Sequence, residues 1–189
     1  MFSTARALID AGNTAHIPSI VKTLERFGDP ALRLAHERGI RIFPLKHGER
    51  YENASATLRR LGAAVDDWPA PPAGLFVVEE RTVYLKSRSA MTVAHEFGHA
   101  LDCALGDGVY HSSSDPQLRS LFEAATTFVT PYAATAIDEY FAEALRAFVE
   151  ANDAGSFWPR ATKLRLRKVD AQLYEYVERL FRCALIAAA

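Results

Sequence analysis

Residues 91–106 read MTVAHEFGHALDCALG, and His95-Glu96-Phe97-Gly98-His99 within them decides how the rest of the chain is read. Histidines four apart stand one helical turn apart on one face, so both imidazoles can reach a single metal ion. The glutamate after the first histidine then lies where it can polarise a water beside that ion. The setting is helical. Ser89 is placed to cap, Ala94, Phe97, Leu101, Ala104 and Leu105 recur at helical spacing, and Gly106 ends the run.

The chain has 189 residues, 49% of them apolar, and a formal net charge of −1. That suits one domain over residues 1–189 with a core that needs no staples, and it argues against nucleic acid as the main partner. Cys103 and Cys183 sit in apolar helical patterns and read as reduced core thiols rather than a disulfide or metal ligands. No run approaches a membrane span, so no membrane partner is expected. The N-terminal MFSTARALIDAGNTAH lacks the apolar stretch and cleavage site of an export signal, which points to the cytoplasm or a signal-independent route out.

Upstream of the histidines, residues 1–73 read as a helical region with one short strand. Ser3 caps a helix ending near Gly12. Pro18 opens PSIVKTLERF, which stops at Gly28, and Asp29-Pro30 caps and opens PALRLAHER, closed by Gly39. His16 and His36 stand alone and read as surface or structural groups. Residues 40–45 alternate as a strand broken at Pro44, Asn53 or Ser55 caps a helix through Leu61, and DDWPAPP (66–72) is a surface loop. Residues 74–79 and 82–87 form a hairpin across Glu79-Glu80-Arg81, and its second strand leads into the histidine helix. If that strand is a sheet edge, Val83, Tyr84, Leu85 and Lys86 would hold an extended substrate by ladder hydrogen bonds; a hairpin buried in the core fits the sequence equally well.

Downstream, residues 106–115 read as a loop with a solvated His111, and Asp115-Pro116 opens a helix through Phe128. A break at Thr130-Pro131 precedes a helix from 136 to 152 capped by Thr135 with Asp138. A turn at 153–159 leads to a last helix from 161 to 187, with Lys163, Arg165, Arg167 and Lys168 on a solvated face. Two histidines do not complete a catalytic zinc site, which takes three protein ligands and one open position. Glu139 and Glu143 fall four apart at the edge of a broad stripe of Ile137, Tyr140, Phe141, Ala144, Leu145 and Phe148, where a buried carboxylate needs a cation partner.

HEFGHALD followed by FVTPYAATAIDEYFAEALRAF resembles the catalytic domain of anthrax lethal factor and its relatives, which include the secreted Pro-Pro endopeptidases. In that family a tyrosine precedes the second metal-site glutamate by seven residues. Tyr132 and Glu139 have this separation, and residues 139–144 read EYFAEA. The likeness covers residues 75–150 and leaves the first seventy unmatched. It implies an α+β, zincin-like fold of gluzincin type. The hairpin and active-site helix (74–105) would lie between a small N-terminal sheet lobe and a helical lobe (106–189) carrying the third ligand. It also implies one catalytic Zn2+ held by His95, His99 and Glu139, with Glu96 as general base and Tyr132 as donor to the oxyanion, acting on a peptide or protein substrate. Glu143 is the expected hydrogen-bond partner behind a ligand histidine, with Asp102 a weaker candidate. No export signal accompanies the motif, so a toxin role does not carry over, and the motif does not fix the pocket walls, so neither does a substrate preference. The alternative is a regulatory zinc-binding protein on the same scaffold, which would need neither Glu96 nor Tyr132.

Overall fold

The computed structural model describes residues 3–10 and 17–184, with side chains through residue 182. The expectations for Gly12, His16, the Cys183 thiol and a helix end at Ala187 lie outside these residues. The N-terminal part contains α1 (Thr4–Ala7), α2 (Ile17–Leu24), α3 (Asp29–Glu37), β1 (Arg41–Pro44), α4 (Tyr51–Ala54) and α5 (Ala56–Leu61). β2 (Gly74–Val77) and β3 (Thr82–Leu85) follow, then α6 (Ala90–Leu105), which carries both histidines. The remainder is helical: α7 (His111–Ser114), α8 (Pro116–Ala124), α9 (Ile137–Phe148), α10 (Lys163–Val169) and α11 (Ala171–Arg179). The result is a mixed α and β fold in which a small sheet sits beside a mostly helical body. Among the described residues no helix is long and apolar enough to cross a membrane.

The strands lie in the order β1-β3-β2, with β1 parallel and β2 antiparallel to β3. Side-chain alternation divides the sheet. Ile42, Phe76, Val83 and Leu85 face the main core with Phe97 and Leu101 of α6, while Val77 and Tyr84 face a smaller core with Leu45, Tyr51, Leu58 and Val65. The 66–72 loop is tied to that second core: Tyr51 N–H donates to Asp66 Oδ2 at 2.7 Å, and the Tyr51 hydroxyl donates to Pro72 O at 2.8 Å.

This topology corrects the expected substrate strand. β3 is central and wholly buried, so Val83, Tyr84 and Leu85 are paired on both sides, and Lys86 N–H donates to Ala73 O at 3.0 Å. A substrate has no ladder to join there. The edge on the histidine side is β2. Because Ala73 bonds Lys86, the two-residue alternation turns the backbone groups of Gly74 and Phe76 away from β3.

Other departures are local. α1 stops at Ala7 because Leu8 and Asp10 extend alongside β1, where Ile42 N–H donates to Leu8 O and Asp10 N–H to Ile42 O. Gly28 at φ 79° caps α3, and Asp29 lies in its first turn. His111 is not on a solvated loop: it starts α7, with Nε2 2.7 Å from the Tyr176 hydroxyl. α8 ends at Ala124, and α9 runs only to Phe148. Thr135 does not cap α9, since its hydroxyl donates back to Tyr132 O at 2.8 Å. The expected long last helix is broken at Asp170, whose carboxylate accepts from Leu173 N–H and starts α11. Cys103 is buried with a free thiol.

Candidate metal centre

α6 and α9 cross where Gly98 meets Ala142. A Cβ on Gly98 would lie 3.1 Å from Ala142 Cα and 3.2 Å from its Cβ, so only a glycine lets the backbones approach this closely. The crossing sets His95 and His99 of one helix against Glu139 and Glu143 of the other. His95 Nε2 lies 3.1 Å and His99 Nε2 3.2 Å from Glu139 Oε2, and the two Nε2 atoms are 3.2 Å apart. Donors about 2.0–2.1 Å from a tetrahedral ion stand roughly 3.3 Å from one another, so this triangle has the size of one face of such a site.

The charges also suit a cation. Burial alone would raise the Glu139 carboxyl, but hydrogen bonds from His95 and His99 outweigh it and hold it well below the usual carboxylate range. Burial disfavours charge on His95 as well, yet Glu139 and Glu143 raise it to about 10. Three carboxylates, Glu96, Glu139 and Glu143, meet one fixed guanidinium from Arg146, an imbalance that a divalent ion would neutralise.

Glu143 packs behind the first histidine. Its Oε1 lies 2.9 Å from His95 Nδ1, which as donor would turn the Nε2 lone pair toward the centre. Thr130 Oγ1 donates to Oε2 at 2.5 Å, and Arg146 grips both oxygens at 2.8 Å. Arg146 is completely buried and also reaches Ala151 O at 3.2 Å and Asn152 Oδ1 at 3.4 Å. Asp102 differs from expectation. It is fully buried, but its oxygens accept from Ser112 N–H at 2.8 Å and Ser112 Oγ at 2.6 Å, so it anchors α7 and does not bond a histidine.

Glu96 and Tyr132 flank the triangle. Gly74 passes so close to Glu96 that a Cβ there would lie 2.5 Å from Glu96 Cγ, and the Phe76 backbone amide supports the carboxylate. Burial pushes the Glu96 carboxyl up from its ordinary value. The Tyr132 ring lies 5.4 Å from that of His95. Burial first, then the facing Glu139 carboxylate, raise the phenol, which keeps its proton as a donor requires. Both line a cleft of about 210 Å3 with Pro72, Ala73, Met91 and Trp158. The Tyr110 ring lies 5.8 Å from that of His99.

The sequence reading missed Arg146, Thr130, Tyr110 and Trp158. Arg146 alone carried a signal: an arginine three residues after Glu143, within the apolar register of its helix.

No protein-family model matches the chain, and no curated protein matches it. In structure it is similar to the Pro-Pro endopeptidase PPEP-2 from Paenibacillus alvei, with a TM-score of 0.67 and 19% identity over 94% of this chain and 100% of that one. At this identity the similarity establishes a shared fold.

Proposed function

We propose that the chain is a zinc-dependent endopeptidase of the gluzincin kind, acting as one zincin-like domain related to the lethal factor group. The observation that carries this reading is the His95, His99 and Glu139 triangle, flanked by the buried Glu96 carboxylate and the Tyr132 side chain in one cleft. The fold shared with a known endopeptidase supports the peptide substrate.

His95, His99 and Glu139 would hold the ion, and Glu143 would orient His95 from behind. Bound there, zinc would polarise the substrate carbonyl and make a water acidic enough to lose a proton near neutral pH. Glu96 would accept a proton from the attacking water and return it to the leaving amine. Tyr132 donates its hydroxyl to the developing oxyanion. The substrate lies extended along the outer edge of β2, where Gly74 and the Phe76 carbonyl turn outward while the Phe76 amide serves Glu96, rather than against Val83–Lys86. A regulatory zinc-binding role would give neither Glu96 nor Tyr132 a task.

Cleavage of a peptide library with added zinc, with chelator, and after zinc is restored tests the assignment. Chelation should abolish cleavage and zinc should restore it. Zinc bound at full occupancy without any cleavage would favour the regulatory alternative. Glu139→Ala should weaken zinc binding by more than the roughly 10–100-fold that follows loss of an outer hydrogen-bond partner, as read by elemental analysis and competition titration. Full metal content in that variant would put the third ligand elsewhere, with Glu143 next.

A further inference from the structure

Residues 153–160, between α9 and α10, form a loop whose base is closed by one side chain. Asn152 Nδ2 donates to Ala161 O at 2.7 Å, and Asn152 Oδ1 accepts from Ala161 N–H at 2.9 Å. Its near limb is tied to the start of α6, where Met91 N–H donates to Asp153 Oδ1 at 3.2 Å. Its far limb carries Trp158, whose amide donates to the Ser156 hydroxyl at 3.0 Å. Trp158 is 38% exposed and Tyr132 42%, with ring centroids 6.5 Å apart and planes at 74°. Two large aromatic rings left open to water side by side mark a surface built to be covered, and both open onto the cleft beside the donor triangle.

We propose that Trp158 determines specificity: with Tyr132 it forms the aromatic wall of a subsite that takes a large apolar side chain of the substrate next to the scissile bond. This rests on the endopeptidase reading. Beside the two rings, Pro72, Ala73, Gly74, Met91 and Thr92 give the lining an uncharged stretch. The carboxylates in the lining are those of Glu96 and Glu143, and Glu143 is fully occupied by His95, Thr130 and Arg146. An acidic side chain would meet the like charge of Glu96, and a basic one would find only Glu96, the carboxylate that the reaction needs free as its base. Asn152 closes the base of the loop and Asp153 ties its near limb to α6, which holds the loop beside the cleft.

The chain has two tryptophans, and the other, Trp68, is 54% exposed on the 66–72 loop and lines no part of the cleft. Trp68→Phe therefore leaves Trp158 as the sole tryptophan reporter. The zinc-loaded variant is titrated with a glycine-serine decapeptide carrying one central leucine, and with its lysine and aspartate counterparts. The leucine peptide should shift Trp158 emission to the blue and the charged peptides should not. In parallel, Trp158→Ala should raise KM for the best-cleaved apolar peptide about tenfold or more, with a smaller change in kcat, and should narrow its preference over the charged counterparts. An emission shift without cleavage by any form would retain the subsite and sink the endopeptidase reading. Cleavage with no emission shift, or with the same preference in Trp158→Ala, would overturn the subsite alone. Neither a shift nor cleavage would overturn both.

Discussion

Glu96→Gln is expected to lower turnover about 10²–10⁴-fold while zinc binds as tightly as in the parent protein. The two effects separate because Glu96 lies outside the donor triangle, which is made of His95, His99 and Glu139. Glutamine keeps the length of the side chain and a carbonyl oxygen that can still accept from the Phe76 amide, so packing beneath Gly74 is preserved. What it loses is basicity. Burial raises the Glu96 carboxyl and so moves it toward the strength a general base needs near neutral pH, and no amide can take that part. The measurement is kcat/KM on the best library peptide beside zinc content from the same preparation. Turnover within a few-fold of the parent would remove Glu96 as base, and a fall in zinc content would make it a ligand.

The parts of this site that the sequence discloses are those set by local spacing. His95 with His99, and Glu139 with Glu143, are one-turn pairs, and a helix places them wherever it packs. Gly98 and Ala142 explain why the two helices meet at those pairs, yet their smallness acquires meaning only when the partner helix is known. The hairpin was legible because β2 and β3 are neighbours in the chain. The place of β3 in the sheet was not, since it depends on β1, some forty residues earlier, pairing along its other side. Asp102 shows the same limit. Its position near the histidine face was readable, but Ser112, on the next short helix, claims its oxygens. Asp170 is a different kind of omission, because an aspartate before AQL is an ordinary helix start and the apolar pattern on either side hid it.

Arg146→Met is expected to lower stability at neutral pH by about 3–5 kcal/mol, because it leaves Glu143 charged and buried without its cation. Arg146 is wholly buried and Glu143 is 2% exposed, so water cannot replace the lost partner. Methionine keeps much of the apolar stem, which confines the change to charge and hydrogen bonding. The pH dependence tests the cause. In the parent, burial would raise the Glu143 carboxyl, but hydrogen bonds from His95 and Arg146 outweigh it and hold it down at about 2. A depressed carboxyl stabilises the fold above its unfolded value, and that contribution is lost as pH falls toward 2. Without Arg146 the depression shrinks and burial counts for more, so the variant loses less on acidification. The deficit should therefore narrow from pH 7 to pH 4 in urea unfolding. The double variant Glu143→Leu with Arg146→Met removes both charges and should recover most of the stability, since an apolar pair often replaces a buried ion pair without loss. It should not recover zinc affinity, because His95 Nδ1 would still lack the acceptor 2.9 Å away that orients it, a loss of about 10–100-fold. A single variant as stable as the parent, or a double variant that binds zinc normally, would separate this buried pair from the metal centre.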